Sequence, residues 1–187
     1  DRQYYLDLTA AGLRMPIGTD LVLREEPDPE VVLTDGARLA TVLVKAARRF
    51  QTPLALPVMD LELEKLHLLA LLGVGGDRPD TYHFCQDPGP AARAQLTTAL
   101  ERPLTSKMLA LCDAIHHVAA TTDLLPVGMT IGPFSLMTKL VADPITPLAL
   151  AGMGLTAAED AGVALVETTL ELATQVILRY QRAQLEA

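Results

Sequence analysis

The chain is poor in cysteine, in aromatic residues and in positive charge. Two cysteines in 187 residues, Cys85 and Cys112, are too few for a disulfide framework. Reduced thiols and a cytoplasmic setting are the expectation. Tryptophan is absent, and four Tyr and three Phe are the only other large rings. That leaves little for stacking bases. Lys and Arg number 15 against 23 Asp and Glu, giving a net charge of −8 and a pI near 4.9. Phosphate binding rests on clustered cations, so nucleic acid is not an expected partner. No apolar run reaches the roughly 18–20 residues that span a bilayer, and no membrane partner is expected. No basic segment followed by an apolar core marks a secretory leader at the N-terminus.

Half of the residues are hydrophobic and a fifth are charged, a globular balance with material for a real core. Arg14-Met15-Pro16-Ile17-Gly18-Thr19 is turn-rich. Asp28-Pro29 reads as an N-cap with Pro at the first helical position. From Ala37 to Phe50 the residues Leu39, Val42, Leu43, Ala46, Ala47 and Phe50 recur at helical spacing. Pro53 ends that helix. The uncharged run Leu54-Ala55-Leu56-Pro57-Val58-Met59 then has the character of a parallel strand buried on both faces, stopping at Asp60.

A strongly apolar helix is predicted over 61–72, closed by Gly73. Residues 80–85 suggest a short strand or hairpin arm, and Asp87-Pro88-Gly89-Pro90 a turn. A helix is predicted over 106–121, with Met108, Leu111, Cys112, Ile115 and Ala119 on one face. A strand follows over 124–131, then helices near 134–142 and 147–152. Thr156 and Glu159 have capping-box spacing, predicting a long last helix from there. Its stripe is Val163, Val166, Leu170, Ala173, Ile177 and Tyr180. Alternation of helix and strand in this order predicts an α/β fold with parallel strands. A parallel unit expects a further strand after its helix, so the chain reads as cut at Ala187.

Asp60, at the carboxyl end of an apolar strand, is the foremost chemical candidate, as an acid, a base or an electrostatic anchor. The competing assignment is an N-cap for the helix after it. His83 and Cys85, with Cys112, His116 and His117, offer a loose metal-ligand spacing that lacks any C-x-x-C or H-E-x-x-H partner motif, so no metal ligand is assigned. Gly73-Val74-Gly75-Gly76 and Gly152-Met153-Gly154 read as helix-ending turns. Ser135 lacks a G-x-S-x-G context and suits the start of a helix. Lys139, one turn further, faces either a pocket above the strand or solvent.

Several segments resemble the uroporphyrinogen decarboxylase superfamily, which includes corrinoid and coenzyme M methyltransferases. Arg14-Met15-Pro16 resembles the R-x-P opening of divergent members. Leu56-Pro57-Val58-Met59-Asp60 is similar to the first barrel strand, which ends in the catalytic Asp. Ile131-Gly132-Pro133-Phe134-Ser135-Leu136 resembles the G-x-P-[WF]-[ST]-L segment. Tyr180, Gln184 and Glu186-Ala187 resemble the Y-x-x-x-Q helix.

The resemblance implies the N-terminal part of a (β/α)8 barrel as a single domain. Residues 1–52 would be a helical or irregular lead and 53–187 the first barrel units. It implies a tetrapyrrole or corrinoid ligand, with Asp60 catalytic and Arg14, Met59, Gly132, Phe134, Ser135 and Lys139 binding substrate. The decarboxylases carry a second loop arginine for substrate carboxylates, and this chain does not. They also place a Tyr where Lys139 stands. Both departures favour corrinoid-dependent methyl transfer, with uroporphyrinogen decarboxylation, a lyase step of porphyrin biosynthesis, as the alternative. Cofactors within these residues are expected to be none. Zinc and a corrinoid are expected only for a complete methyltransferase, with zinc ligands after Ala187. Taken alone, the 187 residues are expected to be inactive, a packing module with open strand edges that favour a homodimer.

Overall fold

The computed structural model describes residues 2–12 and 18–187. In chain order the helices are α1 (Arg2–Ala10), α2 (Thr19–Leu23), α3 (Pro29–Val32), α4 (Gly36–Arg49), α5 (Leu63–Leu72), α6 (Gly89–Ala99), α7 (Ser106–Thr121), α8 (Pro133–Leu140), α9 (Ile145–Gly152) and α10 (Ala161–Glu186). Two short strands, β1 (Leu54–Ala55) and β2 (Leu125–Pro126), pair in parallel with Leu54 opposite Leu125 and Ala55 opposite Pro126. Helices with a parallel pair are an α/β arrangement dominated by helix. The chain divides into two compact units. The first holds residues 1–59, 106–129 and 184–187, and the second 60–105 and 130–183.

In the first unit α4 packs on α7. Leu39, Val42, Leu43, Ala46 and Ala47 are buried on α4, as the periodicity predicts, and Phe50 is half-buried. On α7 the buried residues are Met108, Ala110, Leu111, Ala114, Ile115 and Val118. Alanines on both helices allow close approach. Each leucine taken fully out of water contributes roughly 2 kcal/mol. Cys112 is half-buried and Ala119 exposed, so the α7 face is turned toward Ala110 and Ala114 relative to the predicted stripe. Asp35 caps α4 by accepting the Arg38 amide at 3.1 Å. Asp28 stands before Pro29 as predicted, yet its carboxylate is committed to the Arg38 guanidinium rather than to the helix amides.

The predicted strands are longer than the observed ones. In β2 the Leu125 and Val127 amides donate to the Pro53 and Ala55 carbonyls, and backbone pairing then stops. At Met129 a side chain replaces the neighbouring strand. The Met129 amide donates to Gln184 Oε1 at 2.7 Å, and Gln184 Nε2 donates back to the Met129 carbonyl at 3.1 Å. Gly128 makes this possible, because a Cβ there would lie 2.5 Å from Gln184 Oε1.

In the second unit Leu68, Leu69, Leu71 and Leu72 of α5 form one core with Leu96, Leu136, Leu140, Leu172, Ala173, Val176 and Ile177. Gly73 ends α5 in the left-handed conformation, φ +67°. Helix α6 was not expected, because the turn signal of Asp87-Pro88-Gly89-Pro90 precedes a stretch of alanine and threonine without an apolar stripe. Only Leu96 and Ala99 of it are buried. The expected strand at 80–85 is reduced to one parallel bridge between Phe84 and Val141.

Glu159 accepts from Thr156, closing a turn, and the cap of α10 falls to Asp160, which accepts the Val163 amide at 2.9 Å. The helix therefore starts at Ala161 rather than Thr156. Its predicted stripe is buried apart from Leu170, whose place is taken by Leu172 and Val176. By length and composition α10 is apolar enough to cross a membrane, contrary to the expectation that no apolar stretch reaches that length. Of its most apolar stretch, 44 % is buried.

Candidate functional site

The chemistry-bearing residues of the second unit gather where the first turn of α5 meets the entry to α8. Leucine recurs on every side of α5, so burying the helix also buries polar residues set among the leucines. Glu64, Lys65 and His67 are all less than 5 % exposed. Glu64 Oε1 accepts the Ile131 amide at 3.1 Å. That bond brings the turn Ile131-Gly132-Pro133 to the segment that follows Asp60. Oε2 is buried and has no hydrogen-bond partner among the described residues.

Burial raises the Glu64 carboxyl above its ordinary value. Hydrogen bonds from its own amide and that of Ile131 oppose the shift, and the nearby Asp60 charge adds to it. Burial likewise holds the Lys65 ammonium below its usual value, with Lys139 pushing the same way and Glu62 and Asp80 opposing. Lys65 Nζ donates to the Asp80 carbonyl at 2.7 Å. His67 is pushed down by burial and then by Arg179, which favours its neutral form.

Asp60 is half-buried, and its Oδ1 accepts the Glu62 amide at 2.9 Å. This turn leads into α5, whose N-cap is Glu62, so Asp60 shapes the helix entry from two residues upstream. Gly132 is the N-cap of α8 and, lacking a side chain, provides no cap bond. Among the described residues, nothing lies within 4 Å of where its Cβ would be. Phe134 is 54 % exposed, Ser135 is exposed, and Lys139 is half-buried. Leu136, Met137 and Leu140 face the core, so α8 presents Phe134 and Ser135 outward because its other face is anchored.

Asp60, Gly132, Phe134, Ser135 and Lys139 thus share one unit. Met59 belongs to the first unit, where it is exposed. Arg14 lies outside the described residues, as does most of its turn-rich segment. His83 and Cys85 are exposed, and Cys85 Sγ donates weakly to the His83 carbonyl at 3.8 Å. His116 Nδ1 is 2.6 Å from the Ala187 carbonyl. Among the described residues no three His, Cys, Asp or Glu side chains are grouped as metal ligands. Cys85 and Cys112 form no disulfide.

A separate surface cleft of about 360 Å³ lies in the first unit, at the amino ends of β1 and β2, lined by Arg48, Gln51, Thr52 and Asp123 among others. Arg48 and Asp123 are paired there.

Glu64 is the functional candidate that pattern reading passes over. The available signal is charge in a helix with no polar face, since Glu62, Glu64, Lys65 and His67 alternate with leucines and cannot all reach water. Compared with family models, curated proteins and solved structures, the chain matches none.

Proposed function

We propose that the chain is the N-terminal part of an enzyme of the uroporphyrinogen decarboxylase superfamily, built on a (β/α)8 barrel and acting on a corrinoid in methyl transfer. The observation that carries the reading is the Ile131 to Glu64 hydrogen bond, which joins the Asp60 segment to the Gly132–Ser135 turn. Both segments belong to the family resemblance, and barrel enzymes bind ligands at the loops after their strands. The parallel pairing of β1 and β2 supports the same architecture.

The residues present suit a large flat ligand with polar edges. Open space above Gly132 and the exposed Phe134 ring offer a surface for a macrocycle. Asp60 accepts hydrogen bonds from its periphery, Ser135 donates or accepts, and Lys139 faces an anionic substituent. When bound, a corrinoid supplies the centre that carries the methyl group. The described residues offer no ligand set for zinc, and no step is assigned to it. A cytoplasmic setting suits the two reduced thiols.

Absorbance titration with cobalamin, alongside a uroporphyrinogen turnover assay, tests the reading on the full chain. Cobalamin binding without porphyrinogen turnover supports it. Loss of carboxyl groups from uroporphyrinogen replaces it with the decarboxylase reading. Recognition of neither ligand removes both and leaves a packing module. Asp60→Asn is expected to weaken binding or turnover about tenfold or more, as for one well-placed electrostatic group.

A further inference from the structure

Resting on that reading, we infer that Glu64 is the positioning residue of the site: it fixes the Gly132–Pro133 turn, and with it Phe134 and Ser135, against the Asp60 segment.

Three observations converge on this role. Glu64 is 2 % exposed in a unit whose core is leucine-rich, where packing alone favours Leu or Met. Oε1 accepts the Ile131 amide, while Oε2 has no hydrogen-bond partner among the described residues. A carboxyl kept in so poor an environment is not explained by packing. The entry to α8 also lacks a side-chain cap, since Gly132 at the N-cap has no side chain to bond the first amides, and Pro133 fixes only its own φ. Glu64 supplies that restraint from α5. Ile131 precedes Gly132 directly, so the bond sets where the outward-facing Phe134 and Ser135 begin. Glu64 is a positioning residue because it acts through Ile131 rather than on the ligand.

The test compares wild type with Glu64→Gln and Glu64→Leu in the full chain. Two quantities are read for each: hydrogen exchange at the Ile131 amide and cobalamin affinity by absorbance titration. Glu64→Leu is expected to fold, to speed Ile131 exchange tenfold or more and to weaken cobalamin binding tenfold or more, the size of one lost buried hydrogen bond. Glu64→Gln keeps an acceptor at the same reach and is expected to recover most of both. Should Glu64→Leu not fold, Glu64→Asp, one methylene shorter, breaks the same bond and carries the same expectation.

Wild-type exchange and wild-type affinity in the Leu or Asp variant overturn the inference. So does failure of Gln to recover what Leu loses. If wild type itself binds no cobalamin, the functional reading fails, and Ile131 exchange alone decides the positioning role. Fast exchange in the Leu variant then supports it and unchanged exchange overturns it.

Discussion

Replacing Gly128 with alanine should cost about 2 kcal/mol, and the same cost should vanish when Gln184 is already gone. The new Cβ would sit 2.5 Å from Gln184 Oε1 and 3.4 Å from Gln184 Cβ and Cδ. The atom in the way is the tip of a flexible side chain, so the amide swings aside and α10 need not move. Swinging aside gives up both hydrogen bonds to Met129, at 2.7 and 3.1 Å. Each is worth about 1 kcal/mol net. Gln184→Ala removes the same two bonds and should cost about the same. The double variant should then lose about 2 kcal/mol rather than about 4, a coupling of about 2 kcal/mol in a double-mutant cycle.

Urea unfolding followed by circular dichroism measures all four proteins. In a chain of this length the single variants should melt roughly 4–8 °C lower. Additive costs would refute the reasoning, because they would mean that Gly128 and Gln184 act independently. An unchanged Gly128→Ala variant would refute it more simply.

Asp35→Ala should destabilise the chain by about 1 kcal/mol, through loss of the α4 cap on the Arg38 amide, measured by the same unfolding assay. Glu64 has a folded-state pKa raised above 4.5, so rising pH strips its proton from the unfolded chain first. Wild-type stability should therefore fall relative to Glu64→Gln as pH climbs from 4.5 through the raised value, and a pH-independent difference would exclude this. Glu25 is held down to about 2, first by its hydrogen bond with Arg49, which outweighs the opposing effect of desolvation, and then by the Arg49 and Lys45 charges. Carbon-detected NMR titration should find it ionised down to that pH, and Arg49→Met should return it toward 4.5. A Glu25 titration unmoved by Arg49→Met would show that the pair does not exist in solution.

Much of the helical framework was legible because periodicity and capping agree there. Helix α7 begins and ends where its pattern says, and α4 buries the stripe that its spacing selects. Helix α6 was hidden because alanine and threonine give no stripe and the proline-glycine turn before it dominates the reading. The strands were overextended because an apolar run shows what is buried but not what it pairs with. At Met129 the partner is a side chain more than fifty residues away. The same limit hid Glu64, whose meaning lies in an amide on another segment. Asp60 was legible as a candidate for chemistry, but the N-cap assigned to it as the alternative falls to Glu62, and Asp60 instead forms the turn before the helix. Its bond to the Glu62 amide uses one carboxylate oxygen, Oδ1.

Pro126 has a consequence for how the sheet can grow. In a strand, successive amides point to opposite sides. Leu125 and Val127 donate toward β1, so position 126 is the one that would donate outward, and proline has no hydrogen to give. A strand arriving at the outer edge of β2, from a second copy or from elsewhere, meets its first outward amide at Gly128. Its register is therefore read from the end of the strand nearest the Gly132 turn, and an alignment centred on Leu125–Pro126 is penalised by a missing bond.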